Sequence, residues 1–155
     1  MAEEMRCGCP GSMSRDFRKD AAKSKTTARL ESELQQWPVQ LHLVGPGAPY
    51  FDDADLLIAA DCTAFAYANF HPDFIKGRAV VIGCPKLDET ESYAEKLAGI
   101  IREGNVKQVT LVHMEVPCCY GLRHIVDEAI GMSGKQIPVH THVISIRGEK
   151  LQGEK

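Results

Sequence analysis

The sequence predicts a three-layer α/β domain built on a mostly parallel sheet of about five strands. Short, almost wholly apolar runs alternate with stretches whose apolar residues recur at helical spacing, and Gly or Pro stands at most of the boundaries. Strands covered by helices on both faces read as continuous apolar runs, and "LLIAA" and "AVVIG" have that character. At 155 residues, 44% apolar and 25% charged, the chain is long enough to bury roughly two-thirds of its unfolded surface as one domain.

Residues 1–26 read as an irregular N-terminal arm, rich in Gly, Pro, Ser, Lys and Asp and poor in apolar residues. Residues 27–155 form the single α/β domain. A short helix is predicted from Thr27, where Leu30, Leu34 and Trp37 recur at i, i+4 and i+7 before Pro38. The first strand is predicted in "VQLHLV" (39–44), the second in "ADLLIAAD" (54–61), the third in "AVVIGC" (79–84) and the fourth in "QVTLVHMEV" (108–116). The half-polar "VHTHVISI" (139–146) reads as a fifth, edge strand. Only "GPGAPYFDD" joins the first two runs, fewer residues than the dozen or more a helical parallel crossover takes.

Two helices have clear limits. Asp88 and Glu91 have capping-box spacing, Tyr93, Leu97, Ile100 and Ile101 make one face, and Gly104-Asn105 supplies the stop. The next helix carries Leu122, Ile125, Val126, Ala129 and Ile130 before Gly134. Right-handed crossovers then give the Rossmann-like or flavodoxin-like arrangement.

The N-terminus lacks the apolar stretch of a secretory signal, and no apolar run approaches the roughly 20 residues that span a bilayer. The expected compartment is the cytoplasm, with no membrane association. Thiols stay reduced there, so the six cysteines read as metal-binding, redox or buried residues rather than a disulfide framework. Residues 1–29 carry seven Lys/Arg against four Asp/Glu, a local +3 that leaves −6 on the remainder. The arm lacks the density and aromatic interleaving of a nucleic-acid-binding tract, so no nucleic-acid partner is expected.

The cysteines share an address. Cys62 follows "LLIAAD", Cys84 closes "AVVIG", and Cys118 and Cys119 follow "VHMEVP". Three strands thus each deliver thiol at the carboxyl end, the side where open α/β sheets build their sites. Adjacent strands lie about 4.8 Å apart, so such thiols can converge. Each precedes a helix-like segment, and a helix N-terminus favours thiolate, so lowered thiol pKa values are expected. Cys7 and Cys9 lie in "CGCPGS", whose Pro-Gly turn could bend the arm back over the sheet edge.

Thiolate donors select zinc or an iron–sulfur cluster over hard cations. Ligands that come singly, or as one adjacent doublet, from separate strands suit a cluster better than the paired knuckles of structural zinc. The expected cofactor is a [4Fe–4S] cluster on Cys9, Cys62, Cys84 and Cys119, with Cys7 and Cys118 as alternates and zinc as the alternative metal. Cys119 is preferred to Cys118 because it lies nearer the helix start. His113 and Glu115 share a strand face toward this edge and are the candidates for proton donation. His140 and His142 are two apart on the last strand, where partial exposure explains them more simply than ligation. Phe65, Tyr67, Phe70 and Phe74 follow Cys62 and read either as a lid or as ordinary packing. "VGPGAPY" has prolines where a phosphate loop needs amide donors, and reads as a turn.

"CGCPGS", "LLIAADCTAFAY", "VIGCPKLD" and "HMEVPCCYGL" resemble a ferredoxin-associated family of iron–sulfur cluster-binding proteins from anaerobic bacteria and archaea, over essentially the whole chain. The close-set C-x₂-C-x₂-C run of the ferredoxin module that accompanies many such proteins is missing here. The resemblance implies cluster binding and electron transfer with a redox partner protein. A looser likeness in architecture is to the small subunits of hydrogenases and respiratory complex I. Two other functions fit the same thiols: an enzyme that activates a small molecule at an open cluster position, and a zinc or thiol-redox protein. A homodimer in which the arm reaches a neighbour's site is one assembly this allows.

Overall fold

The computed structural model describes residues 29–151. Five strands form one sheet in the order β2-β1-β3-β4-β5. They are β1 (Asp55–Ala60), β2 (Ala79–Gly83), β3 (Gln108–Met114), β4 (Val139–Ile144) and the two-residue β5 (Lys150–Leu151). β1 pairs in parallel with both β2 and β3, β3 in parallel with β4, and only β5 is antiparallel. The apolar runs of the sequence are therefore the buried strands: β1 and β3 contribute Leu56, Leu57, Ile58, Val109, Leu111 and Val112, all closed to water.

The layers follow from register. His142 of β4 stands opposite Val112 of β3, so it faces the other side of the sheet from His113. His142 packs on Phe74, from the segment between β1 and β2. His113 packs on Tyr120, at the start of α3 (Tyr120–Ser133). α3 in turn packs along α2 (Tyr93–Glu103). One face is thus covered by α2 and α3. The other is covered by α1 (Thr63–Ala66) and the single π-turn His71–Ile75, which buries Phe74 and Ile75.

Both long helices end as their sequences predict. Gly104 caps α2 with Asn105 following in the left-handed region, and Gly134 caps α3 at φ 72°, a conformation only glycine adopts without penalty. α2 begins later than expected. Asp88 and Glu91 form no capping box, and Ser92 is the N-cap without a side-chain bond. The Asp88 carboxylate instead serves the loop, accepting from the Cys84 amide at 3.0 Å and from the Tyr93 hydroxyl.

The predicted first helix does not form over residues 29–37; Thr27 lies outside the described residues. Trp37 and Leu30 are largely exposed. This stretch covers the outer edge of β2 instead. The Gln36 amide donates to the Val80 carbonyl at 2.7 Å and accepts from its N–H at 2.8 Å, closing the edge as a strand would. The predicted strand 39–44 reduces to one parallel bridge, Gln40 to Ile82, and then turns back through bonds from Leu43 and Val44 to the Gln40 carbonyl. Residues 45–54 return to β1 as an irregular crossover with one turn of 3-10 helix, Pro49–Phe51, beneath which Phe51 is fully buried. Ten extended residues reach about 33 Å, so the link is long enough without a helix. The fifth predicted run, 139–146, is β4; β5 covers its carboxyl end. Among the described residues, no helix is long and apolar enough to cross a membrane.

Candidate metal centre

The chain passes from β1 outward to β2 and then across to β3 on the other side, so the order reverses between β1 and β3. That reversal opens a crevice at the carboxyl ends of the two strands. Cys62 stands two residues past β1, at the N-cap of α1. Cys84 is the first residue after β2. Cys118 and Cys119 form the 3-10 turn Pro117–Cys119 that leads from β3 into α3. Two loops meet above the end of β1, with Gly121 set against Pro85, 3.8 Å from where a Cβ would stand.

The four thiols sense one another. Cys119 is under the charges of Cys118, Cys62 and Cys84, and Cys62 under those of Cys84, Asp61 and Cys118. Cys119 is buried, Cys84 and Cys118 are half-buried, and Cys62 is exposed. All four are free thiols. The structure therefore brings together Cys62, Cys84, Cys118 and Cys119; Cys7 and Cys9 lie outside the described residues. Among the described residues, no group of three or more His, Cys, Asp or Glu side chains is arranged to hold a metal ion.

Electrostatics overturns one expectation. Burial pushes the Cys119 thiol up to about 11, opposed by a backbone hydrogen bond from Met114 and reinforced by the neighbouring thiols. Burial likewise raises Cys62, followed by the charges of Cys84, Asp61 and Cys118. The anticipated lowering by helix N-termini does not prevail. At Cys62, α1 is only four residues long, too short for a dipole to outweigh desolvation and like charge, and at Cys119, the N-cap of the fourteen-residue α3, burial outweighs the dipole.

Three further residues shape this edge. Asp61 precedes Cys62, and its N–H holds the Gly83 carbonyl at 3.0 Å. Burial raises its carboxyl, the charge of Asp88 adds to that, and a Gln40 hydrogen bond opposes both. Its Oδ1 is buried without a hydrogen-bond partner. Asp88 is held low, first by the Cys84 amide and then by the Tyr93 hydroxyl. Burial and Asp88 push the Tyr93 phenol well up. That phenol lies against the last residue of β2: a Cβ on Gly83 would stand 2.5 Å from its oxygen. Gly83, Asp88 and Tyr93 together fix the backbone from which Cys84 projects. The Asp88–Tyr93 spacing resembles only helix initiation in the sequence, and nothing linear pairs either residue with Gly83.

The other candidates have partners of their own. His113 is buried with Nδ1 2.8 Å from the Met114 carbonyl and its ring edge-on to Tyr120. Glu115 accepts from the Ile146 amide at 3.4 Å. His140 and His142 share the opposite face, where burial, then Lys150, Arg78 and His140, hold His142 below its usual range. In the aromatic run, Phe70 and Phe74 are core residues while Phe65 is 93% exposed.

Fold and edge together define a doubly wound α/β domain with a rim of four thiols at its switch point. The chain belongs to the Rossmann-like domain family, whose sequence model matches residues 48–155. It is 34% identical over 116 residues to a protein of Archaeoglobus fulgidus described as "Uncharacterized protein", an overlap covering 75% of this chain and 81% of the relative. No solved structure matches the chain significantly. These descriptions name a fold rather than a chemistry.

Proposed function

We propose that the chain binds an iron–sulfur cluster, a [4Fe–4S] centre, at the carboxyl rim of its sheet and serves in electron transfer. The observation that carries this reading is the placement of thiols from three separate segments at the carboxyl ends of β1, β2 and β3, three neighbouring parallel strands of one sheet. A cluster spreads its thiolates over several irons, so it takes ligands from separate chain segments more readily than one ion does. The donor set is wholly sulfur, the chemistry that selects clusters or zinc over hard cations.

Cys62, Cys84 and Cys119 would hold the centre, with Cys9 of the arm as the fourth ligand and Cys118 or Cys7 as the spare. Such a centre supplies one-electron redox chemistry at a potential set by its surroundings. The chain's own residues prepare the place. Gly83, Asp88 and Tyr93 hold the Cys84 loop, and burial at Cys119 keeps water from one side of the rim. The resemblance of "CGCPGS", "VIGCPKLD" and "HMEVPCCYGL" to iron–sulfur proteins of anaerobes supports the same chemistry.

Single Cys→Ser variants purified without oxygen test it. Loss of the brown visible absorption is expected for Cys9, Cys62, Cys84 and Cys119, and retention for Cys7 and Cys118. Absorption that survives the double change C62S/C84S removes the proposal.

A further inference from the structure

Three of the largest exposed apolar side chains stand beside the cysteines. Phe65 follows Cys62 by three residues and is 93% exposed, Leu87 follows Cys84 by three and is 84% exposed, and Tyr120 adjoins Cys119 at 51%. The core closes without them. Single exposed apolar residues are ordinary on any surface, but these three come from three segments that each follow a strand on one rim, α1 after β1, the loop after β2 and the start of α3 after β3, and such a grouping marks contact surfaces. One flank is mostly acidic: Asp88, Glu89 and Glu91 line an open pocket of about 540 Å3 with His42, Leu87 and Ser92, and residues 30–155 carry a net −6.

We propose that this rim is a docking face for a partner protein whose contact surface is apolar at its centre and basic at its edge. The proposal takes its purpose from the cluster reading, since a partner seated there lies against the thiols. Charge selects the occupant. A second copy brings the same net negative charge of residues 30–155 to the contact, whereas a basic edge meets these carboxylates favourably.

The full chain can be titrated calorimetrically at low salt with ferricytochrome c, a basic protein with an apolar haem edge, and with an acidic flavodoxin as control. Binding to the cytochrome alone is expected, weakening as salt screens the charges. Phe65→Ser and Leu87→Ser should each weaken it about five- to tenfold, the loss of a contact anchor. Met132→Ser, at the far end of α3 and 47% exposed, should leave it unchanged.

Rim variants that bind like the unaltered chain overturn the proposal, as does equal binding of the flavodoxin. Two other results assign the face elsewhere and also overturn it: rim changes that turn a dimer into a monomer, or that speed amide exchange in residues 1–28. Iron content of the same samples is read separately. A colourless chain that still needs Leu87 to bind keeps the docking face and loses the cluster, and a brown chain indifferent to Leu87 does the reverse.

Discussion

Within the sheet, β1 and β3 present Leu56, Leu57, Ile58, Leu111 and Val112 to neighbours that exclude water completely; a few residues further along the same strands stand raised thiols, a carboxylate oxygen without a partner and an exposed phenylalanine. Interior and rim differ in what their residues are for. Each interior side chain lowers the free energy of folding by burial. The rim gathers like-charging groups and bare apolar surface, arrangements that oppose stability and are characteristic of functional sites. The end of β4 sharpens the contrast. It carries no cysteine and closes on itself, Ser145 bonding to Glu149 at 2.8 Å and Gly148 to Ser145 at 2.9 Å.

The largest effect that can break this contrast lies in the core. Leu111→Ala should cost about 2–5 kcal/mol in urea denaturation, as buried leucine truncations do. Phe65→Ser should stay within about 0.5 kcal/mol. A rim substitution as costly as the core one would erase the distinction. Gly83→Ala sits at the boundary between the regions. Its new methyl would press on the Tyr93 oxygen, and a loss of about 1–3 kcal/mol is expected, the range for overpacking, with Cys84 alkylation changed as its loop shifts.

Thiol chemistry resolves the rim itself. In metal-free protein at pH 8, a Cys119 thiol pushed up to about 11 leaves on the order of one molecule in a thousand as thiolate, so iodoacetamide should reach it last. Its rate should climb as pH rises toward 11. Cys62, exposed, should be modified first. Peptide mass spectrometry after timed quenching orders the four cysteines, and rapid labelling of Cys119 at pH 8 would contradict its burial.

The smallest effect lies on the face away from α2 and α3. Folding holds His142 below its ordinary value of 6.5, so the unfolded chain takes up a proton there first. Its contribution to stability is full above 6.5 and is lost as pH falls through the folded value. His142→Gln should flatten the acid side of a plot of urea midpoint against pH. An unchanged slope would assign that sensitivity to other groups.

Much of this was legible in the sequence. "LLIAA", "AVVIG" and "QVTLVHM" announce β1, β2 and β3 because strands covered on both faces have no polar side. Leu97 with Ile100 and Leu122 with Val126 mark α2 and α3 at helical spacing, and the glycines mark their ends. The strand-end cysteines followed from those assignments. Residues 29–44 misled because their apolar spacing matches a helix and then a strand, while their actual partners, Val80 and Ile82, lie about 40 residues away. Asp61, Gly83 and Tyr93 were silent for a similar reason, since their meaning lies in contacts between the ends of different elements. Thiol acidity was misjudged because linear sequence shows neither that the helix after Cys62 stops after four residues nor that Cys119 is buried at the start of its longer one.

The central claim concerns what the gathered thiols hold, and chemical analysis of the chain purified without oxygen addresses it most directly. Iron and acid-labile sulfide at about four of each per chain, with visible absorption that bleaches on reduction, is the result predicted for a [4Fe–4S] centre. A colourless protein holding zinc, or no metal, would contradict it.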